Sequence, residues 1–411
     1  MPSPPRRLSA HWRRAPRAIG TPVDPITNTA VTMEGGAAHA GGRAPGHVAH
    51  RGAEALADSP LLGRLLEELA DVFDAEVLPL LDPTTRALFG RVGQACRDAV
   101  LRSLKLPCAG RTEGVLLKIA AIVVSVQLLG WARENGCPCV SSVCSLAARG
   151  GHLEVLRWAR GRWCPWDART CRNAAEGGHL EVLRWARERD CPWDITTCSA
   201  AARGGHVEVL RWAREQGCEW DAGTCVLAAE GGHLEVLRWA REHGCEWDAE
   251  TCEFAALRGH LDVLKWARAH GCEWDAATCS AAAFGGHVEV LRWAREHHCL
   301  WDSTTCAHAA ETGHLEVLQW ALERGCPWGA GGTLCAHAAL GGQLEVLGWL
   351  RERHYPWDVR SCAWAAEGGH LETLKWLRGH QCPWDANTVE QATAAGHADV
   401  LQWALDNGCP S

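Results

Sequence analysis

Cys164, Cys171 and His179 return as a set, at nearly constant spacing, through most of the chain beyond residue 126. Thiolates and an imidazole are the donors of structural zinc sites, so zinc is the first chemistry to test against the spacing. One copy supplies three donors and leaves the fourth place empty, and no Cys-x-x-Cys pair occurs in this part of the chain. Donors from neighbouring copies fare no better. Equivalent positions of stacked helices lie ~10 Å apart, whereas thiolates sharing a zinc with Zn–S bonds of about 2.3 Å sit within ~4 Å of each other. Disulfides between equivalent cysteines fail on the same distance, because Cα atoms more than ~7 Å apart cannot be bridged. The cysteines therefore read as small buried hydrophobes, and neither a metal nor a cofactor is expected. The histidine beside a glycine pair reads as a side chain that satisfies loop backbone. Gln343 takes its place in an otherwise intact copy, so hydrogen bonding is what the position requires.

Catalysis finds no footing. A P-loop, a dinucleotide fingerprint, a nucleophile elbow, a His-Glu-x-x-His pair and the kinase signatures are all missing from the sequence. Residues copied many times cannot form one unique catalytic constellation, and the out-of-pattern His308 and His337 fall one per copy, as structural histidines do. The chain reads as a non-enzyme. A net charge of -8, from 41 basic and 49 acidic residues interspersed along the chain, also argues against a nucleic-acid partner, which would favour a concentrated basic face.

The elements that hold these residues follow from a second regularity. Trp131, Trp158, Trp185, Trp212, Trp239, Trp266, Trp293 and Trp320 stand 27 residues apart; after one step of 29, Trp349, Trp376 and Trp403 resume the beat. The longer step contains Gly329, Gly331 and Gly332, which places its two extra residues in a loop between helices. In the copy Asp194 to Trp220, Thr196, Thr197 and Cys198 open a short helix through Ala201 and Ala202, and Gly204 and Gly205 break it. His206 starts a second helix on which Val207, Leu210 and Ala213, or Val209, Trp212 and Ala213, share helical spacings, and Gly217 closes it. Burying the two tryptophans of one copy, ~300 Å² together, returns ~7 kcal/mol at most, while ordering 27 residues costs on the order of 40 kcal/mol. One copy cannot fold alone, so stability has to come from stacked neighbours.

The stretch Gly205-His206-Val207-Glu208-Val209-Leu210 resembles the Gly-His-Leu-Glu-[Ile/Val]-Val of ankyrin repeats, and Gly217-Cys218-Glu219-Trp220-Asp221 resembles their Gly-Ala-Asp-Val-Asn. Cys198 stands at the buried leucine of that family's Thr-Pro-Leu-His, and Ala201-Ala202 at its paired alanines. The resemblance covers residues 126–411. The period is 27 instead of the family's 33, with its Asp-x-x-Gly hairpin missing, so no projecting β-hairpin is expected. Ankyrin repeats grip proteins with hairpin tips and with the start of the inter-helix loop. The resemblance thus implies a protein partner contacted at the position after the paired alanines: Glu176, Arg203, Glu230, Leu257, Phe284, Glu311, Leu340 and Glu367. These vary from copy to copy while the framework does not, as binding loops on a scaffold do. Phe254 and Trp364, in first helices, are further candidates as aromatic anchors, with burial between repeats as the alternative.

Residues 1–56, rich in Pro, Gly, Arg and Ala without apolar period, predict a disordered leader. Residues 57–112 predict a small helical region: Ser59-Pro60 and Asp82-Pro83 are helix starts, with apolar periodicity from Leu61 to Leu81. Leu69-Ala70-Asp71-Val72, Val77-Leu78, Leu81-Asp82-Pro83 and Val92 to Arg97 resemble an F-box. That resemblance implies a Skp1-type adaptor of a ubiquitin ligase bound through Leu78, Leu81 and Val92; the alternative is a helical cap for the first repeat. Residues 113–411 form the repeat array. Its first helices include Val115 to Ala132, which holds one charge, Lys118, but is in repeat register and is read as packed helix instead of a membrane span. The fold expected is all-α: an ankyrin-like helix-turn-helix solenoid behind a small helical N-terminal region. With no apolar signal-peptide core, a reducing cytoplasmic or nuclear compartment is expected. The acid-free, Arg-rich residues 1–23 leave organelle targeting as an alternative, and Met33 is a second candidate start.

Overall fold

The computed structural model describes residues 123–134 and 139–410. The predicted leader, the F-box-like region and its candidate residues Leu78, Leu81 and Val92 lie outside the described residues. Within them there are twenty-one α-helices and no strand. Helix α1 (Val126–Glu134) is followed by ten helix pairs. The first helices of the pairs are α2 (Ser141–Arg149), α4 (Ala168–Glu176), α6 (Ile195–Arg203), α8 (Ala222–Glu230), α10 (Ala249–Leu257), α12 (Ala276–Phe284), α14 (Ser303–Thr312), α16 (Thr333–Leu340), α18 (Val359–Glu367) and α20 (Ala386–Ala395). The second helices are α3 (Leu153–Gly161), α5 (Leu180–Arg187), α7 (Val207–Glu215), α9 (Leu234–Glu242), α11 (Leu261–Ala269), α13 (Val288–Glu296), α15 (Leu315–Glu323), α17 (Leu344–Glu352), α19 (Leu371–Gly379) and α21 (Ala398–Asp406).

Each boundary has a local cause. Helix α6 begins at Ile195, one residue before the position read from the sequence, because Asp194 is its N-cap: the carboxylate accepts the Thr196 amide at 2.9 Å. Asp167, Asp248, Asp275, Asp302, Asp358 and Asp385 cap six of the other first helices in the same way, whereas α2, α8 and α16, which begin after Val140, Asp221 and Gly332, have no side-chain cap bond. Gly205, at φ +80°, ends α6 by reversing the chain, and the His206 amide returns to the Ala201 carbonyl at 2.9 Å. His206 is then the N-cap residue of α7 and stands just outside the helix. At the other end of α7, Gly217 is again left-handed, and the Cys218 amide bonds to the Ala213 carbonyl. The 29-residue step behaves as its glycines predict: Gly329 and Gly331 take positive φ and Gly332 precedes α16, so both extra residues lie in the loop.

The first helices stack on one another along the array, each also carrying its own second helix, while second helices of neighbouring copies touch only lightly. The first-helix row can close up because its facing residues are small: Thr197, Cys198, Ala201 and Ala202 in α6 are fully buried, as are their counterparts in every first helix before α20. Val209, Leu210 and Ala213 of α7 close the core from the other side. Every copy therefore buries its apolar stripe against the next, which is the solenoid solution for a unit too small to fold by itself. Among the described residues no helix is long and apolar enough to cross a membrane.

Candidate protein-binding surface

The loop joining the two helices of a copy is fixed by the copy that follows it. The His206 ring nitrogen Nε2 bonds to the Glu176 carbonyl at 3.1 Å, His233 to that of Arg203 at 3.0 Å, His260 to that of Glu230 at 3.1 Å, and His397 to that of Glu367 at 3.2 Å. Glycine is required beneath the ring: a Cβ on Gly205 would lie 2.6 Å from Nδ1 of His233. Burial holds the pKa of His233, His287 and His314 below the ordinary histidine value, which keeps the ring neutral and leaves one N–H to donate. Where Gln343 replaces histidine, its amide donates to the Glu311 carbonyl at 3.2 Å and to that of Gly341 at 2.9 Å. The hydrogen-bonding role read from the sequence is what the structure contains.

The clamped carbonyls belong to the eight positions singled out from the sequence, so those residues form a row, one per copy, at the C-terminal ends of the first helices. Glu176 pairs with Arg149 at 3.4 Å, and Glu230 with Arg258 at 2.7 Å and Arg203 at 3.4 Å. The Glu230 side chain is only 8% exposed, and Leu257 is buried as well. Phe284 is half-buried, edge-on to His308 with ring centroids 5.8 Å apart. Glu311 bonds His337 at 3.2 Å, and His337 meets Trp364 edge-on at 4.8 Å. Leu340 and Glu367 are half-buried. Because the third, fourth, seventh and eighth residues of α2 to α14 and of α18 are buried in the core, the second, sixth and ninth lie on the other side of those helices. That face holds the half-buried Leu227, Phe254 and Trp364 as well as the row itself. His308 is almost wholly enclosed; burial pushes its pKa down to about 4, and its Nδ1 lies 3.4 Å from the Ser280 carbonyl.

The second helices present the opposite character. Trp193, in the loop after α5, meets Trp212 of α7 edge-on at 6.0 Å, and the same pairing recurs at Trp220 and Trp239, Trp247 and Trp266, and Trp274 and Trp293. The Arg187 guanidinium lies 4.1 Å from the Trp193 ring centre and donates to the Cys191 carbonyl. Arg214, Arg241, Arg268 and Arg295 repeat that clasp. Shallow clefts of about 350 and 400 Å³ open between these groups, lined by equivalent residues in both cases: Trp193 and Trp212 in one, Trp247 and Trp266 in the other. This ladder went unread from the sequence, although the Arg-to-Trp separation of six residues, constant from copy to copy, was its signal. It uses the same side chains each time and closes them on one another, as a structural seam does.

Among the described residues every free cysteine is buried, and no three His, Cys, Asp or Glu side chains converge as a metal site needs. Burial pushes the thiols of Cys144 and Cys335 up to about 12. One copy departs from the expectation of free thiols: Cys139, standing where the next copy has Trp166, is bonded to Cys164 across a Cα separation of 5.2 Å. Cys139 and Cys164 are not equivalent positions, so the distance that separates stacked copies does not apply to them.

No protein-family profile matches the chain, and no curated protein matches it. Among solved structures it is similar to the crystal structure of the human ASB11 ankyrin repeat domain, at 18% identity over 38% of this chain and 83% of that one, with a TM-score of 0.32. A likeness of that size carries no argument; the all-helical solenoid stands on the chain's own stacked pairs.

Proposed function

We propose that the chain is a non-catalytic protein-binding scaffold and that it reads its partner with the outer face of the first helices. The observation that carries this reading is the contrast between the two faces. The second-helix face repeats one Arg-Trp seam, whereas the first-helix face changes from Glu176 and Arg203 to Phe254, Phe284, Leu340 and Trp364 on a backbone held constant by the Gly-Gly-His clamp. Variable chemistry on a fixed frame is how a repeat array distinguishes partners. Glu230 and Leu257 contribute from just below that surface.

The test is photo-crosslinking in cells with a photoreactive residue at position 254 or 364, and at 215 or 238 on the second helices for comparison. The reading predicts discrete protein adducts from the first pair and none above background from the second; equal yields from both faces would refute it. The F-box-type substrate-receptor reading rests on the sequence of residues 57–112 alone. Its test is co-purification of a Skp1-type adaptor with the wild-type chain and with a Leu78→Asp, Leu81→Asp variant, where loss of the adaptor in the variant supports it and absence from both disposes of it.

A further inference from the structure

The first-helix face is polarised along the array. Helices α2, α4, α6 and α8 carry Arg149, Arg169, Arg172 and Arg203 against Glu176 and Glu230. From α10 to α20 the balance reverses: the first helices hold Glu250, Glu253, Glu311, Glu367 and Glu390, one Arg, Arg360, and two histidines, of which His337 is bonded to Glu311. That guanidinium is engaged by Asp358 at 2.7 Å, and Arg258, in the loop after α10, by Glu230 at 2.7 Å, so the cations near the acidic half are held by the chain's own carboxylates. The same half carries the aromatic side chains, with Phe254, Phe284 and Trp364 half-buried on the outer face and Glu250 and Glu390 exposed.

We infer that the face from α10 to α20 holds a basic segment of a partner protein, its Lys or Arg side chains over the row of carboxylates and its apolar residues against Phe254, Phe284 and Trp364. This rests on the scaffold reading and deepens it. Charge complementarity selects the occupant: an acidic segment would meet a row of like charges. Guanidinium groups also stack on aromatic faces while pairing with carboxylates, which suits a surface that interleaves the two.

The experiment titrates the full chain with two fluorescent peptides of equal length, one alternating Arg with Leu and the other alternating Glu with Leu. The proteins are wild type, a Glu250→Gln, Glu367→Gln, Glu390→Gln variant of the first-helix face, and a Glu235→Gln, Glu289→Gln, Glu345→Gln variant of the second helices that removes the same charge. The expected result is binding of the Arg peptide at least about tenfold tighter than the Glu peptide, weakened by salt. The first-helix variant should lose about tenfold and the second-helix variant almost nothing. Equal binding of the two peptides, no binding of either, or equal losses in both variants would overturn the inference, as would a sedimentation profile in which the chain covers this face with a second copy. Adducts from positions 254 and 364 with an acidic partner would overturn it while leaving the scaffold reading standing; absence of adducts there removes the scaffold reading itself.

Discussion

Replacing Gly232 by alanine tests the clamp that aligns the binding row, with Gly244→Ala as the internal control. Both glycines are left-handed, at φ +76° and +83°, so both substitutions carry the backbone cost of a Cβ in that region, about 1 kcal/mol. Around Gly244 a Cβ meets nothing within 4 Å, whereas at Gly232 it would lie 2.6 Å from Cε1 and Nδ1 of His260. The ring would have to leave, breaking the 3.1 Å bond from its Nε2 to the Glu230 carbonyl. A buried carbonyl left without a partner adds about 1–3 kcal/mol. Gly232→Ala should therefore cost ~3 kcal/mol and Gly244→Ala ~1 kcal/mol. Urea denaturation followed by circular dichroism would compare them, with amide hydrogen exchange locating the loss in α8 to α11. Equal costs for the two variants would refute the account of why the glycine pair and the histidine recur together.

Three further outcomes follow from the same contacts. His233→Gln should be tolerated within about 1 kcal/mol, as Gln343 shows in its own copy, while His233→Ala should cost roughly twice that in the same denaturation assay by stranding the Arg203 carbonyl. His308, neutral and enclosed with a pKa near 4, binds a proton more readily unfolded, where its pKa is about 6.5. Its contribution is therefore complete above pH about 6.5 and is lost as pH falls toward 4, on the order of 3 kcal/mol in all; a pH series of unfolding free energies should show that slope, and His308→Phe should flatten it. Arg214→Ala removes both the stack on Trp220 and the bond to the Cys218 carbonyl and should cost about 2 kcal/mol, with Arg214→Lys recovering only part of it; full recovery by lysine would contradict the planar-stacking account.

Much of the architecture was legible because each signal was copied many times. The 27-residue tryptophan beat, the glycine pair before histidine and the glycine after the second helix determine helix ends by backbone chemistry that needs no partner outside two adjacent copies. The loop at Gly329 to Gly332 and the role of Gln343 were readable for the same reason. What could not be read is what depends on side chains meeting across copies in space. The T-shaped Trp193 and Trp212 and the Cys139 to Cys164 bond each join residues whose proximity the stacking of neighbouring copies decides. The candidate row illustrates both sides. Its alignment at the loop was legible, but whether a given member faces outward was not, since Glu230 and Leu257 sink below the surface while Arg203 in the equivalent position does not.

The central claim is that partner recognition lies on the first-helix face, and affinity for a protein crosslinked at position 254 or 364 measures it most directly. Phe284, Leu340 and Trp364 on that face would be changed to alanine one at a time, as would Glu215, Arg238 and Glu323 on the second helices, and the purified full-length chains titrated with that partner. The account predicts that at least one of the first three loses about tenfold or more in affinity, as a buried anchor does, and that the second three stay within about threefold of wild type. Losses concentrated on the second helices, or an unchanged affinity in all six, would contradict it.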